Sequence, residues 1–234
     1  MKALIVATIV LGLAADQYWP GPGQHLASAA AWAVFVLLWA RSRPGERPAL
    51  LACLAFATAG EVFLSLVWGL YDYRLGNIPL FVPPGHVLLF FLGMQFAARI
   101  TDRGAWAIAA LAVPIVGALA GMGKDTLGPL LLALFLACMA ASPSRRLYAT
   151  MFVLSLAMEL FGTWLGNWTW APAVPYLGLA TLNPPVAAGA FYCVLDFLVV
   201  STVAMRGRYP ASPIVTPSTP SHQAAACSAR SSSR

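Results

Sequence analysis

Two isolated glutamates, Glu61 and Glu159, are the first residues in this sequence that could do chemistry. Each lies inside a long apolar run that contains no lysine or arginine at a similar depth. An ionised carboxylate in such surroundings is costly unless it is paired. We therefore expect both glutamates to be protonated, so that each can donate a hydrogen bond or deliver a proton as a general acid. The sequence predicts Glu61 and Glu159 as catalytic residues.

The surroundings of these two glutamates repeat along the chain. Each glutamate is followed two positions later by phenylalanine, then by an aromatic-x-aromatic triplet, and then by a Pro-Pro pair that opens the next apolar run. The triplets are Tyr71 to Tyr73 and Trp168 to Trp170. A twofold internal repeat is the best single explanation, with halves of about 1–100 and 101–205.

Aromatic residues near the glutamates suit a cavity for an apolar molecule. Adding a proton to a carbon–carbon double bond creates a carbocation, which aromatic faces stabilise by cation–π attraction. We expect the loops after the glutamates to cover this cavity. The predicted substrate-binding residues are Trp68, Tyr71, Tyr73, His86, Trp164, Trp168, Trp170 and Asp196. His86 has no counterpart directly after the second proline pair, and Asp196 is a third acid within an apolar run.

Composition places these residues in a membrane protein. The 234 residues are 60% hydrophobic and only 9% charged, whereas a soluble domain has about 25% charged residues. We predict an all-α, polytopic bundle of two parallel four-helix repeats over 1–205. The eight predicted spans cover about 2–18, 24–40, 48–70, 84–100, 104–121, 126–141, 146–166 and 184–205.

Basic residues predict the orientation of this bundle. Of the 14 lysines and arginines, all but Arg74 and Lys124 fall in one alternate set of loops and termini. The positive-inside rule then predicts a multi-pass protein of the inner (cytoplasmic) membrane with both termini cytoplasmic. If the first run were a cleaved signal peptide, seven spans would remain in the same orientation.

Net charge and the absence of known motifs limit the partners and cofactors that we expect, and composition predicts the nature of the C-terminal segment. The net charge of +6 is split among loops, which indicates contact with membrane lipid headgroups and not with nucleic acid. No nucleotide-binding loop, metal-ligand cluster or Ser-His-Asp pattern is visible, so we expect no cofactor and no metal. Residues 206–234 are rich in Ser, Pro, Ala and Thr, which predicts a disordered cytoplasmic tail.

The first copy of the repeat resembles the carotenoid-biosynthesis integral membrane family, which includes bisanhydrobacterioruberin hydratase-type enzymes. Membrane-type lycopene cyclases are more distant analogues, and their adjacent acidic pairs are absent here. The resemblance implies an apolar polyprenoid or carotenoid-type substrate and proton-initiated hydration or cyclisation. The residues that carry it are Glu61, Gly69, Tyr71, Tyr73, Pro79 and Pro83, with a looser echo at Glu159, Trp168, Trp170 and Pro184.

Two other classes of function remain open at this stage. A transporter or small-molecule-binding protein would use the buried acids to couple proton movement to a substrate. In a structural subunit of a membrane complex, each glutamate would instead hold helices together by hydrogen bonds to serine or threonine. The sequence leaves the oligomeric state open.

Overall fold

Eight α-helices, in the order that the apolar runs predict, dominate residues 1–205, the part of the chain that this computed structural model describes. The prediction of an all-α fold is confirmed for these residues, and the predicted tail, 206–234, lies outside them. The helices are α1 (Lys2–Tyr18), α2 (Pro22–Arg41), α3 (Arg47–Glu61), α4 (Val82–Ala97), α5 (Asp102–Gly121), α6 (Gly128–Ala141), α7 (Arg145–Leu165) and α8 (Gly189–Met205). A π-helical segment, Val62–Val67, continues α3, and two short strands, β1 (Tyr71–Tyr73) and β2 (Trp168–Trp170), follow α3 and α7.

Four of the helices are long and apolar enough to cross a bilayer: α2, α3 with its π-helical segment, α5 and α7. The other four have 14 to 17 residues, which at 1.5 Å per residue gives about 21–26 Å against a hydrocarbon layer of about 30 Å. The last helix begins at Gly189 and not at residue 184, because residues 186–188, which follow the proline pair, form a turn before it. These apolar helices indicate a membrane protein.

The pairing of the strands fixes the relative direction of α3 and α7. Strands β1 and β2 are antiparallel neighbours, so the carboxyl ends of both helices meet at one end of the bundle, which we call the strand end. At the opposite end, Arg146 Nε lies 2.8 Å from Asp102 Oδ1 and joins α7 to α5. The ammonium group of Lys2 lies over the ring of Phe96 there and joins α1 to α4. We call this opposite end the arginine end.

A buried polar network fastens α1 to the strand end. Asn167 Nδ2 donates hydrogen bonds to Asp16 Oδ2 at 2.7 Å and to the carbonyl of Leu13 at 3.0 Å. Arg74 lies with Nη2 3.6 Å from Asp16 Oδ1, and its backbone N–H donates to the Asn167 carbonyl at 2.9 Å. Arg74, one of the two basic residues outside the arginine-rich loops, is thus paired with an acid at the strand end.

Asp125 joins the second half of the bundle at the same end. Its carboxylate is completely buried. Oδ1 accepts from the N–H of Gly128 at 3.0 Å, at the start of α6, and Oδ2 accepts from the N–H of Val186 at 2.9 Å, in the segment that leads to α8. One side chain therefore satisfies a backbone donor at the start of α6, which the helix itself leaves unpaired, and a second donor in the turn before α8.

Replacing this carboxylate should measurably destabilise the protein. We expect Asp125→Ala to lower the free energy of unfolding by about 2 kcal/mol or more, because two backbone N–H groups lose a charged acceptor. Thermal unfolding of the purified protein in detergent measures the change. Asp72→Ala is the matched control, since Asp72 is exposed and its loss should change stability by no more than about 0.5 kcal/mol. Equal stability of the two variants would contradict the role given to Asp125.

Candidate functional site

The strand pair directs four aromatic rings to the same side. Tyr71 pairs with Trp170, and Tyr73 pairs with Trp168. Because side chains alternate along a strand, the first and third residues of each triplet are buried, and the middle residue is exposed. The aromatic-x-aromatic spacing thus presents two tyrosines and two tryptophans to the interior of the bundle.

The two tyrosines of β1 donate to Glu61. Tyr71 Oη lies 2.9 Å and Tyr73 Oη 2.6 Å from Glu61 Oε2. On the other carboxylate oxygen, Oε1, His86 approaches with Nε2 at 3.4 Å. Glu61 is only 6% exposed, so these three side chains form its polar environment.

The two tryptophans of β2 do the same for Glu159. Trp168 and Trp170 donate from Nε1 to Glu159 Oε2 at 2.8 and 3.0 Å. Tyr192 Oη lies 3.0 Å from Oε1. An indole N–H is only a donor, so Oε2 of Glu159 is the acceptor of both tryptophan hydrogen bonds.

His86 and Tyr192 occupy matching places beside the two glutamates. Each approaches the Oε1 atom of its own glutamate, and the two rings stack with centroids 4.9 Å apart and planes 6° from parallel. Sequence reasoning missed Tyr192 because it stands seven positions after its proline pair, whereas His86 stands two positions after its own. The later start of α8 accounts for this difference.

The two ring nitrogens of His86 face different partners. Nδ1 lies 3.0 Å from the carbonyl oxygen of Val82, which can only accept, so we infer that Nδ1 carries hydrogen. Nε2 then faces Glu61 Oε1 at 3.4 Å, so the second ring nitrogen is the one directed at the carboxyl group.

A π-helical segment compensates for unequal spacing in the two copies. Ten positions separate Glu61 from Tyr71, but nine separate Glu159 from Trp168. The wider turn of Val62–Val67 takes up the additional residue. Gly69 and Gly166 each precede their triplet by two positions and have φ of +74° and +86°, a left-handed conformation that favours glycine. The sequence spacing alone does not indicate the π-helical segment.

A third glycine lets an indole reach its carboxylate. Gly162 lies on α7 one turn after Glu159, and the six-membered ring of Trp168 rests directly on it. A Cβ atom at position 162 would overlap three atoms of that ring. The hydrogen bond from Trp168 to Glu159 therefore depends on the missing side chain.

Both glutamates line the same two cavities. The larger has a volume of about 350 Å³ and the smaller about 60 Å³. The residues shared by both linings are Glu61, Tyr71, His86, Glu159 and Tyr192. Phe63, Leu134 and Leu198 line the larger cavity and are 52%, 37% and 41% exposed, so this cavity reaches the apolar outer surface of the bundle.

The charges at these cavities come from few groups. Among residues 1–205, no lysine or arginine lines either cavity, which leaves His86 as the side chain there that can carry positive charge. In the same range no three His, Cys, Asp or Glu side chains gather as a metal site requires.

Eight of the ten predicted site residues line a cavity. Besides the shared residues, Tyr73 and Trp168 line the smaller one, and Trp68 and Trp170 line the larger one. Trp164 does not join them and is 75% exposed, because five positions along an α-helix turn it about 140° from Glu159. Asp196 also lines neither cavity and is completely buried elsewhere in the bundle.

Serine and threonine do not hold the glutamates in place. The hydroxyl groups of Thr58, Ser155 and Thr163 donate to backbone carbonyls four residues earlier in their own helices. The carboxylate partners are aromatic groups instead. The arrangement expected of a purely structural helix-to-helix contact through Ser or Thr is therefore wrong for these acids.

A methyl group at Gly162 should disturb the site directly. We expect Gly162→Ala to lower the free energy of unfolding by about 1–3 kcal/mol, because the Trp168 ring is forced off α7. Gly117→Ala is the control: nothing lies within 4 Å of a Cβ there, and alanine should stabilise the helix by up to about 1 kcal/mol. Thermal unfolding and near-ultraviolet circular dichroism measure both effects. A Gly162→Ala protein as stable as Gly117→Ala would disprove the contact.

Comparison with family models, with characterised proteins and with solved structures finds no match for this chain. The geometry of the two glutamates and their aromatic donors is therefore the basis for the function proposed next.

Proposed function

We propose that this protein is an intramembrane enzyme that adds a proton to a double bond of an apolar polyprenoid or carotenoid-type substrate, leading to hydration or cyclisation. The observation that carries this proposal is that Glu61 and Glu159 line shared apolar cavities. In addition, His86 Nε2 lies 3.4 Å from Glu61 Oε1, which places a base beside this carboxyl group. The resemblance of the first repeat to the carotenoid-biosynthesis family points to the same class of substrate.

The Glu61–His86 pair is the proposed proton donor. A new C–H bond forms from the π electrons of the double bond, and the proton leaves the pair, so the neighbouring carbon becomes a cation. Water then attacks this carbon and returns one proton to the pair, which yields an alcohol. In cyclisation an internal double bond attacks instead, and the ring loses the proton. Both routes leave the acid as it began.

Glu159 and the aromatic rings are the proposed stabilisers of the cation. Three side chains contact the two oxygens of Glu159, and in the proposed reaction this fixed carboxyl group attracts the positive charge. The rings of Tyr71 and Trp170 pack 5.0 Å apart, centroid to centroid, beside it, and aromatic faces attract a cation. The first carboxyl group gives the proton, and the second balances the charge that results.

The size of the site favours one part of a long substrate. A volume of about 350 Å³ lies at the lower end of the range of about 300–1,000 Å³ for small-molecule sites. A polyprenoid chain is longer than this cavity. We infer that one end of the chain enters between α3, α6 and α8 and that the rest stays in the lipid.

The membrane arrangement that we propose has eight spans in two parallel repeats. It is supported by the packing of α3 on α8 and of α4 on α7. In the repeat, α3 corresponds to α7 and α4 corresponds to α8, so each of these two contacts is the counterpart of the other. Of the ten basic residues within 1–205, all but Arg74 and Lys124 belong to the arginine end. We infer that this end is cytoplasmic, that both termini lie there, and that the protein resides in the inner membrane.

A proton-coupled transporter is the second candidate function. One observation favours it: the two cavities extend from the same acidic centre in different directions, toward α1 and α2 and toward α6 and α8. Uptake of a labelled isoprenoid into proteoliposomes with an imposed pH gradient, without chemical change, would support transport over catalysis.

Removing the proposed acid should abolish product formation. We expect Glu61→Gln to lower turnover at least about 100-fold, which is the loss typical of a missing general acid, because the amide is not acidic enough to transfer a proton. The measurement is chromatography of the pigments of a lycopene-accumulating host that expresses each variant, with expression checked by immunoblot.

Asp72→Asn is the control for this experiment, since it removes an exposed acid from the loop that follows Glu61. It should leave the pigment profile of the unmodified protein unchanged. Full activity of Glu61→Gln would exclude the proposed role of Glu61. An unaltered pigment profile with well-expressed unmodified protein would instead argue against this class of substrate.

A further inference from the structure

Asp196 is a buried acid that the proposed reaction does not use. It lies in α8 with no exposed surface. Neither of its carboxyl oxygens has a hydrogen-bond partner among the described residues. A buried carboxyl group without hydrogen bonds costs stability. Either water molecules supply the missing hydrogen bonds of Asp196, or the residue has a function that offsets this cost.

Tyr192 connects this part of α8 to the acidic centre. It precedes Asp196 by four positions, so both side chains belong to one face of the helix, about 6 Å apart along its axis. Tyr192 Oη reaches Glu159 Oε1 at 3.0 Å, and its ring stacks on His86. Asp196 is thus one helical turn farther from the strand end than the group that contacts Glu159.

Buried polar groups continue from Asp196 toward the arginine end. Cys193 Sγ donates to the carbonyl of Tyr148 at 3.3 Å, and the rings of Tyr148 and Phe197 lie 6.4 Å apart. Tyr148 therefore packs against α8 on both sides of position 196. Its hydroxyl group donates to Ser142 Oγ at 3.1 Å, and Ser142 directly follows the end of α6.

We propose that Asp196 holds water molecules that pass from the arginine end to Glu159 along Ser142, Tyr148 and Tyr192. This inference rests on the proposed function, in which hydration consumes one water molecule for each product. The larger cavity is lined mainly by apolar groups and reaches the apolar surface of the bundle, so it offers water no polar path of its own. A buried water molecule needs two to four polar partners, and both carboxyl oxygens of Asp196 are available to accept hydrogen bonds from water.

The route carries neutral water and therefore no net charge. One water molecule adds its oxygen to the cationic carbon, one of its hydrogens stays on that oxygen, and the other returns as a proton to the Glu61–His86 pair. Asp196 is a positioning residue in this scheme, since it acts through water and touches no substrate. Its side chain decides whether water or an internal double bond reaches the cation first.

Radiolytic hydroxyl-radical labelling tests the route without any substrate. Radicals formed from bound water oxidise nearby side chains, even buried ones. In the unmodified protein, Tyr148 and Tyr192 should be labelled at least fivefold faster than Phe90 and Phe135. Tyr148 is the stricter comparison, because it is as inaccessible as the two phenylalanines, whereas Tyr192 is 8% exposed. Equal labelling of the tyrosines and phenylalanines, after correction for intrinsic reactivity, would overturn the proposal.

Variants at position 196 sharpen this test. Asp196→Leu should reduce labelling of the two tyrosines at least fivefold, while Asp196→Asn, which can still bind water, should stay within twofold of the unmodified protein. The control is Ser155→Ala, which removes a buried hydroxyl group bonded to its own helix. If Asp196→Leu does not fold, the comparison of residues within the unmodified protein still decides. Unchanged labelling in a folded Asp196→Leu protein would contradict the role of Asp196.

The ratio of products gives a second readout. Asp196→Leu should lower the hydrated fraction of product at least tenfold relative to the cyclised or isomerised fraction, and Asp196→Asn should largely restore it. An unchanged ratio would contradict the inference. If the unmodified protein forms no product at all, the proposed function fails, and the labelling experiment alone decides whether water occupies this route.

Discussion

The constraint on which this structure depends is the burial of two carboxyl groups in an apolar bundle. Each one needs hydrogen-bond donors that do not themselves bring more polar surface into the interior. Tyrosine and tryptophan meet that need, because each buries a large apolar ring and carries a single polar atom at its edge. Two short strands that pair across the bundle direct four such rings at Glu61 and Glu159.

The strand pair also makes the two glutamates one site. Each triplet belongs to a different half of the chain, so antiparallel pairing brings both carboxyl groups to the same cavities. The two copies differ in the side chain that contacts Oε1. This oxygen faces the imidazole of His86 in Glu61 and the phenol of Tyr192 in Glu159. An imidazole can hold a positive charge, and a phenol cannot. Two acids with similar surroundings thereby acquire different proton partners, which is the general way in which paired carboxyl groups take separate roles.

Two features of the bundle depart from regular, fully hydrogen-bonded structure. The π-helical segment after Glu61 departs from regular geometry, and such segments are frequent at functional sites. Asp196 remains buried with both oxygens unsatisfied by the described residues. By contrast, Asp16 and Asp125 fasten helix ends through well-formed hydrogen bonds. These three buried acids therefore fall into two groups. Asp16 and Asp125 stabilise the bundle, whereas stability alone does not explain why Asp196 is present.

The sequence by itself determined the helical class, the order of the helices and the pair of glutamates with their aromatic triplets, because hydropathy and local repeats are properties of neighbouring residues. Eight of the ten site residues that it predicted line a cavity. Only the tertiary structure decided that Tyr192 takes the place opposite His86, that Trp164 faces away, and that the triplets donate to the carboxylates. These outcomes depend on where a helix starts, on how far it rotates and on which strands meet, and none of these is a property of a short stretch of chain.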